Sequence, residues 1–216
     1  MHPVMLAFVA VILGTSLVVG GCASQPSRFY LLSAMPNAET AAPGTSGQQG
    51  PTIGVGPVTL PRYVDRPQIV TRTSPYEIKL AEFDRWAEAL DTNFTRVLAE
   101  NLSLLLPTAR VVMSPWSRAT PIDYQITVDV SHFLSQVGGD SLLVADWTVF
   151  KGEGQEVLTT GRSSFSASPA GSDYAAIVAA MSQTTASFSR EIATVVKGVG
   201  PRVSTRKGFS GRVTFP

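Results

Sequence analysis

Tyr124-Gln125-Ile126-Thr127-Val128-Asp129-Val130-Ser131 alternates strictly between apolar and polar side chains. A period of two marks a β-strand with one face in a core and the other toward water. Tyr124, Ile126, Val128 and Val130 fall on the core side, and His132 continues their phase as a packed, hydrogen-bonded side chain. Downstream, Gly138-Gly139-Asp140 turns the chain into a second strand, Leu142 to Phe150. Lys151-Gly152-Glu153-Gly154 turns it again into a third, Glu156 to Ala167. Three strands joined by short turns form an antiparallel meander.

Two amphipathic helices flank other parts of the chain. Trp86, Leu90, Phe94, Val97, Leu98, Asn101, Leu102 and Leu105 recur at helical spacing, predicting a helix from Asp84 or Arg85 to Leu105. Asp84 is its expected N-cap, and Pro107 marks its end. A second helix, from about Ser172-Asp173 to Lys197, carries the stripe Tyr174, Ile177, Val178, Met181, Phe188, Ile192 and Val195, with Ser172 as the expected N-cap. Shorter strands are expected at Arg28 to Leu32, Ile53 to Leu60, Gln68 to Arg72, Tyr76 to Leu80 and Arg110 to Met113, with Ser74-Pro75 as a turn. Pro36 to Pro51, rich in Gly, Pro, Ser, Thr, Ala and Gln, reads as a flexible loop. Two one-sided helices and a mixed, largely antiparallel sheet can hide their apolar faces only against each other. The expected class is a layered α/β domain.

The chain has 216 residues, 44% of them hydrophobic and 15% charged, enough apolar matter for one ordinary core. A net charge of +1 gives no electrostatic reason to expect a nucleic-acid partner. A single cysteine excludes an internal disulfide and any multi-cysteine metal site. Val4 to Val19 is almost wholly apolar and ends in Val19-Gly20-Gly21-Cys22. The run is short for a bilayer span and suits a signal-peptide core. Small residues fit the narrow cleft of a signal peptidase, and the following thiolate can take a diacylglyceryl group by thioether formation. The segment resembles the lipobox of bacterial lipoproteins, with Gly20 where Ala or Ser is more usual. This implies lipidation at Cys22. Ala23, in place of the Asp that commonly retains lipoproteins in the inner membrane, directs the protein to the outer membrane, facing the periplasm. The expected organisation is a signal peptide over 1–21, a lipidated tether over 22–28, a folded domain over 29–197 and a basic tail over 198–216. That tail holds Arg202, Arg206, Lys207 and Arg212 and reads as a solvated terminus or as a contact for anionic headgroups.

Leu60-Pro61-Arg62-Tyr63-Val64-Asp65-Arg66-Pro67-Gln68-Ile69-Val70-Thr71-Arg72 resembles the signature of the PqiC-type auxiliary lipoproteins of ABC-type transport systems. Phe29-Tyr30-Leu31-Leu32, Ile53-Gly54-Val55-Gly56-Pro57-Val58 and Glu82-Phe83-Asp84-Arg85-Trp86-Ala87-Glu88 extend the likeness, which runs from about Phe29 to Val196. The resemblance implies a three-layer α/β/α sandwich around a mixed sheet. It also implies work beside an ABC ATPase, a permease and a membrane-anchored protein of the mammalian-cell-entry (MCE) type. Such systems move phospholipids or other apolar molecules between the inner and outer membranes. A homo-oligomeric ring is a further expectation from the family.

The Leu60 to Arg72 block holds the candidate partner-binding residues Arg62, Tyr63, Asp65 and Arg66. Its prolines set φ and remove donors, shaping a loop between two strands. Two readings stand side by side: a docking surface for the MCE partner or a neighbouring subunit, or an internal brace in which Asp65 pairs with Arg66 and Tyr63 plugs the core edge. Gly54-x-Gly56 is followed by Pro57 and opens no helix, so it is not a dinucleotide fingerprint. No Walker-type loop is present, so ATP hydrolysis would belong to another subunit. Asp129 or Asp146 with His132 and a serine makes a triad only on paper, because no Gly-x-Ser-x-Gly elbow exposes a nucleophile. The expectation is a non-catalytic protein without cofactor or metal. A carrier that holds a lipid between sheet and helices is the alternative.

Overall fold

The computed structural model describes residues 25–36, 50–106 and 109–199. Cys22 and its leader, most of the Pro36 to Pro51 loop, Pro107 and the basic tail beyond Val199 lie outside the described residues. Among the described residues eight strands and two helices follow in the order β1 (Arg28–Tyr30), β2 (Thr52–Thr59), β3 (Gln68–Ser74), β4 (Glu77–Trp86), α1 (Leu90–Leu105), β5 (Arg110–Met113), β6 (Tyr124–Gln136), β7 (Ser141–Lys151), β8 (Glu156–Ala167) and α2 (Tyr174–Val199).

The strand read first, β6, organises the sheet. One edge pairs antiparallel with β7 along its whole length, and β7 pairs antiparallel with β8, completing the expected meander. Its other edge is shared by two parallel strands placed end to end. β2 pairs from Ile53↔Tyr124 to Thr59↔Asp129, and β3 at Thr71↔Ser135 and Arg72↔Gln136. β5 adds to β2, and β4 and then β1 add beyond β3. The sheet is therefore mixed, with its longest ladders antiparallel, and with the two long helices it gives the α/β class that the sequence predicts.

Both helices lie on one face of this sheet. Phe94 of α1 meets the ring of Phe133 on β6 edge-on, with centroids 5.2 Å apart, and stands 6.3 Å from Phe188 of α2. The indole Nε1 of Trp147 (β7) donates to Ser163 Oγ (β8) at 2.8 Å, and that hydroxyl donates to Glu191 (α2) at 2.6 Å. Trp147 lies directly over Gly161, where an added Cβ would sit 2.3 Å from the ring, so only glycine fits beneath it. On the opposite face Thr127, Asp129, Asp146, Thr148, Thr160 and Arg162 are exposed or half-buried. Among the described residues no helix covers that face; at one end Trp116 leans on Gly54. The layering is helices on sheet, without the third layer that the resemblance implies.

Other local expectations change for identifiable reasons. Asp84 to Trp86 is strand, not helix: β4 continues through Trp86, and α1 begins only at Leu90, with Ala89 as its N-cap and no side-chain cap. Asp84 is drawn into the sheet by partners on β1. α2 is capped by Asp173 rather than Ser172, its Oδ1 accepting from Ala176 N at 2.7 Å. A β-bulge between Val130 and His132 reverses the alternation of β6. His132 consequently pairs with Val144 on the helix-free side, and Phe133 takes the core position.

Candidate functional site

Two features bear on the expectation of a tethered, partner-binding protein: the start of the folded domain and the Leu60 to Pro67 loop. The domain starts with β1, three residues long and, among the described residues, paired with β4 alone. Arg28 and Tyr30, two apart on one side of the strand, both reach Asp84. Arg28 Nε lies 2.8 Å from Oδ1 and its Nη2 donates to Oδ2 at 3.2 Å, while the Tyr30 hydroxyl donates to Oδ1 at 2.9 Å. Asp84 is only 5% exposed, so its charge is held by these donors rather than by water. Burial, and then the hydrogen bond to Asp84, push the Tyr30 phenol above its ordinary pKa. Beyond β1 the chain is pinned by two buried asparagines of α1: Leu32 N donates to Asn93 Oδ1 at 2.7 Å and Met35 N to Asn101 Oδ1 at 2.8 Å. A surface groove of about 670 Å³ lies between this segment and α2, lined in part by Leu31, Met35, Ala179 and Arg190.

The loop arises from unequal path lengths. From Thr59 to Thr71 the chain takes twelve residue steps while β6 takes six, from Asp129 to Ser135. The surplus leaves the sheet as Leu60 to Pro67 beside the bulged stretch of β6. Pro61 O accepts from Val64 N at 3.0 Å and Asp65 N at 3.2 Å, and Pro67 O accepts from Trp86 N at 2.7 Å. Val64, 2% exposed, nails the loop to the core. Of the candidate residues, Arg62 and Asp65 are exposed, Tyr63 packs half-buried on the core edge, and Arg66 is half-buried with its Nε enclosed and unpartnered. No ion pair joins Asp65 to Arg66 among the described residues. The loop thus shares features of both readings: Tyr63 and Val64 brace it, and Arg62 and Asp65 face outward.

The remaining motifs resolve as structure. Gly54 makes room for Trp116. Gly56, at φ +121, bends β2 where its register against β6 shifts, and its carbonyl accepts from buried Gln125 at 2.8 Å. Asp129 accepts from Thr59 Oγ1 at 2.8 Å and Asp146 pairs with Arg162 at 2.9 Å. Burial, and then the nearby Arg72 charge, push the His132 pKa below its ordinary 6.5. The unfolded chain therefore holds the His132 proton more readily than the folded one. His132's contribution to stability is complete above about pH 6.5 and is lost as pH falls through the window below it. In thermal melts between pH 7 and 5, H132Q is expected to flatten that part of the stability loss; an unchanged slope would exclude His132 as its source.

Sequence reasoning missed the Arg28–Tyr30–Asp84 clasp because it assigned Asp84 to a helix start. The available signal was two donors spaced by two on a strand, with an acid inside the next apolar segment of the sheet.

This arrangement of strands and helices defines a known class of α/β domain. It matches a crystal structure of an uncharacterized protein with a TM-score of 0.65 at 21% identity, covering 80% of this chain and 99% of that one. Protein XCC0632 from Xanthomonas campestris matches with a TM-score of 0.63 at 17% identity, covering 80% and 96%. The chain belongs to the family of ABC-type transport auxiliary lipoprotein components, whose pattern it fits over residues 30–193. It is similar to the intermembrane transport lipoprotein PqiC of Escherichia coli (strain K12), 27% identical over 134 residues, which is 61% of this chain and 68% of that protein. The protein is accordingly a membrane-associated lipoprotein of the transport-auxiliary type.

Proposed function

We propose that this protein is the outer-membrane component of an ABC/MCE-type system that moves phospholipids or other apolar molecules between the two membranes. It works by position rather than by catalysis. The observation that carries the reading is the family match over residues 30–193, joined by the similarity to an intermembrane transport lipoprotein. Cys22, acylated on its thiol before residues 1–21 are cleaved off, anchors the chain, Ala23 sends it outward, and the domain faces the periplasm. The Leu60 to Pro67 loop docks the MCE-type partner through Arg62 and Asp65, with Tyr63 and Arg66 holding its shape. Among the described residues β8 pairs with β7 alone, and its other edge supports assembly of several copies.

A scaffold role is favoured over a lipid carrier by the packing between sheet and helices. Phe94, Phe133, Phe188, Leu98 and Leu143 fill that space, each less than 2% exposed. The test is co-purification of the MCE-type partner with the wild-type lipoprotein and with Arg62→Glu and Asp65→Lys variants. Both side chains are exposed, so fold and abundance should hold while partner recovery falls severalfold. Unchanged recovery from both variants, or copious lipid extracted from the purified protein, would overturn this assignment.

A further inference from the structure

We infer that the turns joining β3 to β4 and β6 to β7 form a membrane-contacting end, seated in the lipid headgroup region beside the anchor. The inference rests on the reading of Cys22 as lipidated, and chain length carries it. β1 runs parallel to β4 with Arg28 level with Asp84, so the tether leaves the domain toward the β3–β4 turn. From Gln68, level with Arg85, to Ser74, level with Glu77, β3 covers six steps, about 20 Å along the sheet. Cys22 precedes Arg28 by six residues, which reach at most about 20 Å whatever their conformation. The acylated residue therefore cannot clear the turn by more than a few ångströms. With its acyl chains in the bilayer, the turn meets the headgroups.

The side chains at this end suit that environment. Tyr76, at the β3–β4 turn, is 99% exposed, and Val137, at the β6–β7 turn, is 55% exposed. The two turns adjoin, since Val137 N donates to Arg72 O at 2.8 Å. Ile78, on β4 just past the turn, is also exposed. A tyrosine with an apolar ring and a polar tip favours the membrane–water interface. Gly138 and Gly139 keep the second turn slender. Lys79 and Arg72 are balanced nearby by Glu77 and Asp140, so the contact depends on apolar side chains more than on net charge. Among the described residues no helix is long and apolar enough to cross a membrane.

The test uses the full-length lipoprotein, in which acylation occupies the Cys22 sulfur and an introduced cysteine is the single free thiol. Tyr76→Cys, Val137→Cys and, at the far end of the sheet, the equally exposed Val157→Cys are labelled with an environment-sensitive fluorophore. The proteins are reconstituted into phosphatidylethanolamine–phosphatidylglycerol vesicles with and without nitroxide-bearing headgroups. Labels at 76 and 137 should shift to the blue and lose about half their emission to the nitroxide, and the label at 157 should do neither. Water-like emission at 76 and 137 would overturn the inference, as would a blue shift without quenching, which reports cover by another protein or a second copy. Mass spectrometry of the N-terminal peptide reads the anchor separately. A lipid-free Cys22 would remove the anchoring premise and the inference with it, whereas a lipid-bearing Cys22 with unquenched labels would refute the inference alone.

Discussion

Replacing Cys22 by Ser is expected to eliminate the protein from the outer-membrane fraction and leave an unacylated, uncleaved precursor. A serine hydroxyl is a far poorer nucleophile than a thiolate and cannot form the thioether that precedes cleavage. Each buried methylene contributes roughly 0.8 kcal/mol to membrane binding, so a two-chain diacylglyceryl group holds firmly where a single chain is marginal. The change removes nearly all of that energy with one atom. Membrane fractionation with mass spectrometry of the N-terminal peptide reads the result. A mature, acylated N-terminus in the C22S protein, or an unchanged outer-membrane share, would contradict the anchoring assignment.

The second large effect is expected in the core. Phe94 is 0% exposed and joins three elements, touching Phe133 of β6 edge-on and facing Phe188 of α2. Phe94→Ala removes a ring from a site whose neighbours belong to both helices and the central strand, so collapse cannot fill the void. The expected cost is about 3–5 kcal/mol, a large part of the ~5–15 kcal/mol that holds a domain folded. A thermal or urea melt checks this, with Tyr76→Ala as the reference. Tyr76 is 99% exposed, so its loss should move stability by less than about 0.5 kcal/mol. A small effect at Phe94, or a large one at Tyr76, would contradict the packing described. The same contrast separates the proposed membrane-contacting end from the fold: with stability unchanged in Tyr76→Ala, a defect in that variant reports on function.

Local periodicity carried much of the architecture. The alternation of Tyr124 to Val130, the turns at Gly138 and Gly152, and the stripe from Leu90 to Leu105 depend on neighbours a few residues apart, so the linear chain displays them directly. The Leu60 to Arg72 block likewise announced its family, because a dozen ordered residues carry information without any coordinates. Its geometry was legible only in part. The prolines and turn residues showed a shaped loop, but not that β2 and β3 lie end to end on one edge of β6 with the loop as surplus chain.

What remained depended on partners distant in the chain. Asp84 reads as a helix cap beside Trp86, yet its partners Arg28 and Tyr30 lie 56 and 54 residues away, and burial against them makes that stretch a strand. His132 reads as a core residue until the bulge beside it turns the strand over. That both described helices cover the same face of the sheet is a matter of packing, invisible to either helix alone. The sequence by itself determined most of the elements and the family, because periodicity and ordered motifs are local. Only the tertiary structure decided that Tyr76 and Val137 share the end toward which the tether runs. That follows from strand direction and register, which are set when residues far apart in the chain exchange hydrogen bonds.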